Sequence, residues 1–457
     1  MNIAYLATRI AEALRSDDLI FIADDDQQAQ AISDAVDAIT ASARIYFLPS
    51  SDTLPGDIAP PSPANAGRRV AALHALRVAQ TRTDRERIAL ILSGEGAARR
   101  YPSPASFDRA PPTLRIGDAV DPEEFAPMVE DLGYVADDRV DEPGEVAVRG
   151  EVIDIFPADA VRPARIDIVE GRISAIRCFD PATQRTLDTL DSVEVGRAAE
   201  PPMTDPVPIL AHLLPGRIAM SDKADQRRLR FVKLASDVAA RGTGKVDAIE
   251  DAAWRAALKE WQPIAFDDAI GEVPRFAEVK APLAKLVRFA KPLLGDHALI
   301  LAGSQRDLRF LRGRVAKRLD VNFVAIDDWS ELRDLKPGQA ATIAMPVDCG
   351  FVDDRRVLIT ASDILGSRAL LNDLQPASAN PLAGGAEIRV GDVVVHEDHG
   401  VGRILGLEPA PSTGATSGEM IALEYAGGAR RLVEIDDADR IWRYGADADA
   451  VTLDKLD

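Results

Sequence analysis

Two histidines three residues apart, His396 and His399, are the first candidates for metal chemistry. A zinc site needs four protein ligands, or three and a water. No cysteine lies nearby. His396-Glu397-Asp398-His399 is also one residue short of the H-E-x-x-H spacing that sets both rings on one helical face. The stretch from Val393 to Ile404 is read instead as a strand, a tight turn and a second strand. Its glycines supply positive φ, and no metal is expected. Phosphate chemistry meets a similar obstacle. The sole Gly-Lys pair is Gly244-Lys245, and Ala239 and Val246 stand where G-x-x-x-x-G-K-[ST] requires glycine and a hydroxyl. Two cysteines, Cys178 and Cys349, lie far apart and offer neither a disulfide framework nor a metal cluster. No catalytic residue and no cofactor are expected.

What remains is the chemistry of recognition. Arg149 and Arg165 sit in strand-like segments and, on the residues alone, read as solvated strand residues pairing with Asp154 or Asp167. Arg227, Arg228, Arg230 and Lys233 read as a solvated helix face. A further helix buries Leu308, Leu311, Val315 and Leu319 on one stripe. Its other face carries Arg306, Arg309, Arg312, Arg314, Lys317 and Arg318. Arg306, Arg309 and Arg312 are the local candidates for nucleic-acid contact.

These residues need a scaffold. Leu19-Ile20-Phe21-Ile22, Ile45-Tyr46-Phe47-Leu48 and Ile88-Ala89-Leu90-Ile91-Leu92 read as buried strands. Asp24, Asp25 and Asp26 are placed to cap a helix carrying Ile32, Val36 and Ile39. Val70, Leu73 and Leu76 mark a second helix. Strands alternating with helices predict a parallel α/β sheet. From about Leu114 the texture changes. Residues after Pro143-Gly144 alternate as strands, and Arg165–Glu170 and Ile173–Asp180 form a hairpin about Gly171. A strand returns at Ala298–Ala302, and Phe323-Val324-Ala325-Ile326 is another. Asp373 to Glu387, rich in Ala, Gly and Pro, reads as an exposed tether. Val393 to Tyr444 reads as five short strands, with Pro411 to Gly418 as a loop.

The 457 residues suffice for three or four domains. Net charge is −20, which argues against a protein that coats duplex DNA. DNA contact is expected to be weak or made through partners. No signal peptide or membrane-spanning run is evident, so the expected compartment is the cytoplasm.

Val394-Val395-His396-x-x-His399-Gly400-Val401-Gly402-Arg403 resembles the opening of the RNA-polymerase-interacting module shared by transcription-repair coupling factors and CarD-type regulators. Pro49–Pro55 with Arg68, Arg69 and Leu73 resembles the first domain of the UvrB-homology region. Arg149-Gly150-x-x-x-Asp154-x-Phe156-Pro157, followed by Arg165, Phe179-Asp180 and Gln184-Arg185-Thr186, resembles the small domain that UvrB and the coupling factor share. Gly350–Asp353 and Ser362–Gly366 resemble the close of the coupling factor's third domain. The resemblance implies an α/β multidomain fold: a degenerate helicase-like parallel sheet with an inserted small α+β domain, a small α/β domain, and a C-terminal SH3- or Tudor-like β-barrel. The divisions are 1–113, 114–200, 201–290, 291–372, a linker at 373–387, the barrel at 388–446, and an acidic tail at 447–457. The resemblance also implies two partners. UvrA would bind at Arg149, Arg165 and Val169, the last standing where the family can carry an aromatic. The RNA polymerase β subunit would bind by strand addition at Leu405, Leu407, Glu408 and Ala410, where Pro409 and Pro411 each remove an N–H. The expected role is recruitment in transcription-coupled repair, without the motor; the alternative is a CarD-type promoter regulator.

Overall fold

The computed structural model describes residues 2–55, 60–241, 247–266, 270–366, 369, 393–396, 399–409, 419–434, 441–443 and 453. The Gly244-Lys245 pair, the tether, Ala410, the loop from Pro411 to Gly418, and the tail apart from Leu453 lie outside the described residues. The chain divides into two compact units, Leu6–Asp268 and Met1–Tyr5 with Ala269–Asp457.

The first unit holds a five-stranded parallel sheet. Its order is Gln262–Pro263, Arg217–Met220, Leu19–Ala23, Arg87–Ser93, Ala43–Leu48. Every residue of Leu19–Ala23 is buried, as a strand covered on both faces must be. The Asp25 carboxylate caps helix Asp26–Asp37 by accepting from the Gln28 N–H. Helix Pro63–Thr81 starts with Ser62 as cap and Pro63 in its first turn, and buries Val70, Leu73 and Leu76. Two strands of the sheet come from beyond residue 200, so the intervening domain is an insertion. The chain leaves and returns side by side, with Arg100–Tyr101 pairing antiparallel with Val207–Pro208.

His212 fastens this neck. It is buried, its ring meets Tyr101 and Phe107 edge-on, and its Nε2–H donates to the Pro102 carbonyl at 3.0 Å. Burial depresses its pKa to about 4, against the small opposing effect of that hydrogen bond. The unfolded chain therefore binds the proton more readily between its own pKa, about 6.5, and 4. Stability is complete above that upper value and is lost as pH falls through the interval, by about 2 kcal/mol at pH 5. Urea midpoints measured from pH 7 to 5 check this; a His212→Gln variant should flatten that part of the profile.

The inserted domain is a six-stranded sheet ordered Thr186–Leu190, Arg172–Phe179, Ala164–Val169, Val152–Ile155, Glu145–Arg149, Val135–Ala136. All neighbours are antiparallel except the last pair. The hairpin about Gly171 has the two-residue form, with Glu170 at φ 51° and Gly171 at φ 71° and Val169 facing Arg172. One face packs Val146, Ile153, Ile155, Ile166, Ile168, Ile173 and Ile176 into a core with Phe125 and Val129 of helix Pro122–Glu130.

In the second unit a six-stranded sheet runs Gly271–Glu272, Phe351–Val352, Arg356–Thr360, Ala298–Gly303, Ala340–Ala344, Phe323–Ile326. The last four are mutually parallel. Gly271–Glu272 belongs to this sheet, and Leu286 and Ala290 of helix Pro282–Leu293 share its core with Leu301 and Leu311. The division placed at 290 from sequence therefore falls near 268. Residues up to 266 complete the first sheet, and those from 270 onward build the second.

The C-terminal segment forms a five-stranded antiparallel sheet ordered Arg430–Glu434, Glu419–Glu424, Gly400–Pro409, Val393–His396, Ile441–Arg443. Val394, Ile404, Leu423, Tyr425, Val433 and Ile441 make its core. Gly402 sits in a close contact: a Cβ there would lie 3.1 Å from the Glu424 carbonyl oxygen and from the Tyr425 ring, tighter than most side chains pack.

Candidate interaction surfaces

On the inserted domain the side chains that miss the core share the opposite face. The register pairs Arg149 with Val152, Asp154 with Arg165, and Val169 with Arg172. Strict alternation then sets Arg149, Asp154, Arg165, Asp167 and Val169 on one side of the sheet. Arg165 forks Asp154, Nε to Oδ1 at 2.7 Å and Nη2 to Oδ2 at 2.8 Å. Its guanidinium also lies over the Phe179 ring, 4.9 Å from the centroid. The carboxylate hydrogen bond raises the Arg165 pKa, against the effect of burial. Asp154 is almost sealed, with 3% of its side chain exposed. Arg149 approaches the same carboxylate only at 3.6 Å and keeps 54% of its side chain exposed. Val169 is 56% exposed.

The two arginines thus differ in kind. Arg165 is held as a structural fork, in line with the pairing read from sequence, while Arg149 presents a guanidinium outward. Arg177, not singled out from sequence, joins the same face and pairs with Asp167 at 2.6 Å. Its signal was hidden by a bulge between Ile173 and Ala175, which moves Arg177 opposite Arg165.

On the C-terminal sheet, strand Gly400–Pro409 changes neighbours along its length. Gly400 to Arg403 pair with Val393–His396 on one side. Arg403 to Pro409 pair with Glu419–Glu424 on the other. Among the described residues, Leu405, Leu407 and Glu408 therefore have a strand on one side only. A bulge between Ile404 and Gly406, with Gly406 at φ 144°, sets Leu407 opposite Ile421. Leu407 is 57% exposed, and Glu408 lies 3.5 Å from Arg430. At the head of this strand His396 and His399 stack at 4.6 Å across a turn closed by the His399 N–H on the His396 carbonyl, with Gly400 at φ 74°.

The crevice beyond the carboxyl ends of Leu19–Ala23 and Arg87–Ser93 is where a doubly wound sheet takes a nucleotide. Here it is lined with carboxylates. Asp25 caps the helix, and Asp26 Oδ2 accepts from the Ser50 N–H and hydroxyl, both at 2.8 Å. Arg227 reaches in, donating to the Asp24 carbonyl at 3.0 Å and lying 3.5 Å from Asp25. Gly94 meets the Ala224 carbonyl so closely that a Cβ would stand 2.2 Å from it. Three aspartates at a helix N-terminus repel the phosphate that such a terminus otherwise attracts. Of the basic cluster 227–233, Arg230 and Lys233 are exposed and Arg227 is half-exposed. Arg228 is buried between Asp225 and Asp251 and lies over Trp254, because the helix turns that position inward.

On helix Gln305–Leu319, Leu308, Leu311, Val315 and Leu319 are buried as expected. Arg306, Arg309 and Arg312 are exposed, but Arg312 donates to the Phe323 carbonyl at 2.7 Å.

Two family models match the chain: a UvrB interaction domain over residues 113–200 and a CarD-like/TRCF RID domain over residues 388–445. They fall on the inserted sheet and on the C-terminal sheet of a multidomain α/β protein. Relatives span the chain between and beyond them. The transcription-repair-coupling factor of Escherichia coli (strain K12) is 24% identical over 530 residues, covering 98% of this chain and 44% of that protein. That of Myxococcus xanthus is 26% identical over 300 residues, covering 64% of this chain and 23% of that protein. That of Bacillus subtilis (strain 168) is 26% identical over 174 residues, covering 38% of this chain and 14% of that protein. Over nearly its whole length the chain is similar to transcription-repair-coupling factors, and it carries the two matched domains at 113–200 and 388–445. It spans less than half the length of the curated relatives it matches. Among the described residues no helix is long and apolar enough to cross a membrane.

Proposed function

We propose that this chain is a recruitment adaptor of transcription-coupled repair, acting in the cytoplasm by binding and without turnover. The inserted domain takes UvrA on the face that carries Arg149, Arg165, Val169 and Arg177. The C-terminal sheet takes RNA polymerase, at its β subunit, by strand addition along Leu405, Leu407 and Glu408; the fourth expected contact, Ala410, lies outside the described residues. Its strand order returns the last strand beside the first, as a small SH3- or Tudor-like barrel needs. The first sheet is a helicase-like relic whose nucleotide crevice has filled with carboxylates. Support for the reading comes above all from one observation: Arg149 stays half-exposed while Asp154 is taken up by Arg165, so the Arg149 guanidinium faces outward where a partner's carboxylate can pair with it. The promoter-regulator alternative is not favoured, because the alignment to coupling factors runs through the domains ahead of the C-terminal sheet.

The polymerase arm has its own test. Leu407 is exposed beside Ile421 on the half-open edge. Leu407→Glu places a charge where an added strand must pack, and should weaken binding of a polymerase β fragment about tenfold. As a surface substitution it should move the thermal midpoint little. Titration calorimetry with that fragment measures the loss; unchanged affinity removes this edge from the contact.

A further inference from the structure

Helix Gln305–Leu319 carries a basic face that neither proposed docking surface uses. At about 100° per residue, Arg309, Phe310, Gly313, Arg314 and Lys317 fall opposite the buried stripe, with Arg306 at its N-terminal end. These side chains are exposed. The one carboxylate of the helix, Asp307, is buried on the other side. Among the described residues no carboxylate pairs with Arg309, Arg314 or Lys317. The chain as a whole carries a net charge of −20, so the basic stripe runs against its overall balance. Arg314 is also stiffened, since its guanidinium lies 3.8 Å from the centroid of the Phe310 ring, itself about half exposed. Gly313 sits mid-stripe, and a Cβ there would meet nothing within 4 Å, so a backbone can come close.

We infer that this face is a sequence-independent contact for the phosphate backbone of duplex DNA. Charge complementarity selects the occupant. A docked protein would look for an apolar centre with charges of both signs at the rim. Here the centre is cationic, and among the described residues no carboxylate pairs with Arg309, Arg314 or Lys317, which is the footprint of a polyanion. Arg309, Arg314 and Lys317 make the contact. Arg312, tied to the Phe323 carbonyl, positions the neighbouring strand instead. None of these residues belongs to the proposed UvrA or polymerase contacts.

The test uses the full chain and a mixed-sequence DNA duplex, with fluorescence anisotropy read across a salt series. Three phosphate contacts predict a log–log slope of about −2.7. The double substitution Arg309→Glu with Arg314→Glu should cut affinity at least tenfold for every duplex sequence and flatten the slope by about 2. Arg309→Lys with Arg314→Lys should retain most of the binding, and circular dichroism should show both variants folded. Absence of binding by the native chain at low salt overturns the inference, as does equal binding by the glutamate variant. So does sedimentation showing that the stripe holds a second copy of this chain, with self-association lost in the glutamate variant while DNA binding persists.

Discussion

Arg165→Ala is expected to destabilise the inserted domain by about 3–5 kcal/mol, the largest effect of any single substitution on its outer face. The cause is the partner left behind. Asp154 has 3% of its side chain exposed and receives both fork bonds from Arg165. Without them a carboxylate remains buried with no adequate compensation, because Arg149 stands at 3.6 Å and points largely into water. The guanidinium cover over Phe179 goes as well. Urea unfolding of the native and substituted chains measures the loss. Combining Arg165→Met with Asp154→Leu should recover most of it, since an apolar pair removes the stranded charge. A loss below about 1 kcal/mol would mean that Asp154 is solvated in solution.

Arg149→Ala is expected to do the opposite: leave stability nearly unchanged and weaken UvrA binding about 100-fold, roughly 2.7 kcal/mol. An exposed arginine whose fork is not consumed within its own domain can pair bidentately with a carboxylate that UvrA brings. Val169, 56% exposed at the end of the hairpin, adds apolar contact but no aromatic anchor. Calorimetric titration with UvrA separates the two arginines. An Arg165 variant loses affinity together with its fold, and an Arg149 variant loses affinity alone. Equal affinity for native and Arg149→Ala chains would take this residue out of the interface.

Much of this was legible in the residues, and the rest was hidden for identifiable reasons. The buried strands Leu19–Ala23 and Arg87–Ser93 declared themselves as unbroken apolar runs. The Gly171 hairpin followed from one glycine between two alternating segments. The stripe Leu308, Leu311, Val315, Leu319 followed from helical spacing alone. Short partners carried no such signal. Gly271–Glu272 joins a sheet with only two residues, so the division between units was set too late at 290. The bulges at Ile173/Ala175 and Ile404/Gly406 shift register by one residue without a mark in composition, and so concealed Arg177's place beside Arg165. Burial of Arg228 was missed because sequence shows its charge but not Asp225, Asp251 and Trp254 closing around it. The sites were legible as residue types; which arginine is scaffold and which is contact required the register and the distances.

The adaptor account is tested most directly by mixing the full chain with UvrA and RNA polymerase and resolving the complexes by sedimentation. The expected result is one species containing all three, from which Arg149→Ala releases only UvrA and Leu407→Glu loosens only the polymerase. A chain that binds neither partner, or two partners that exclude one another, would contradict it.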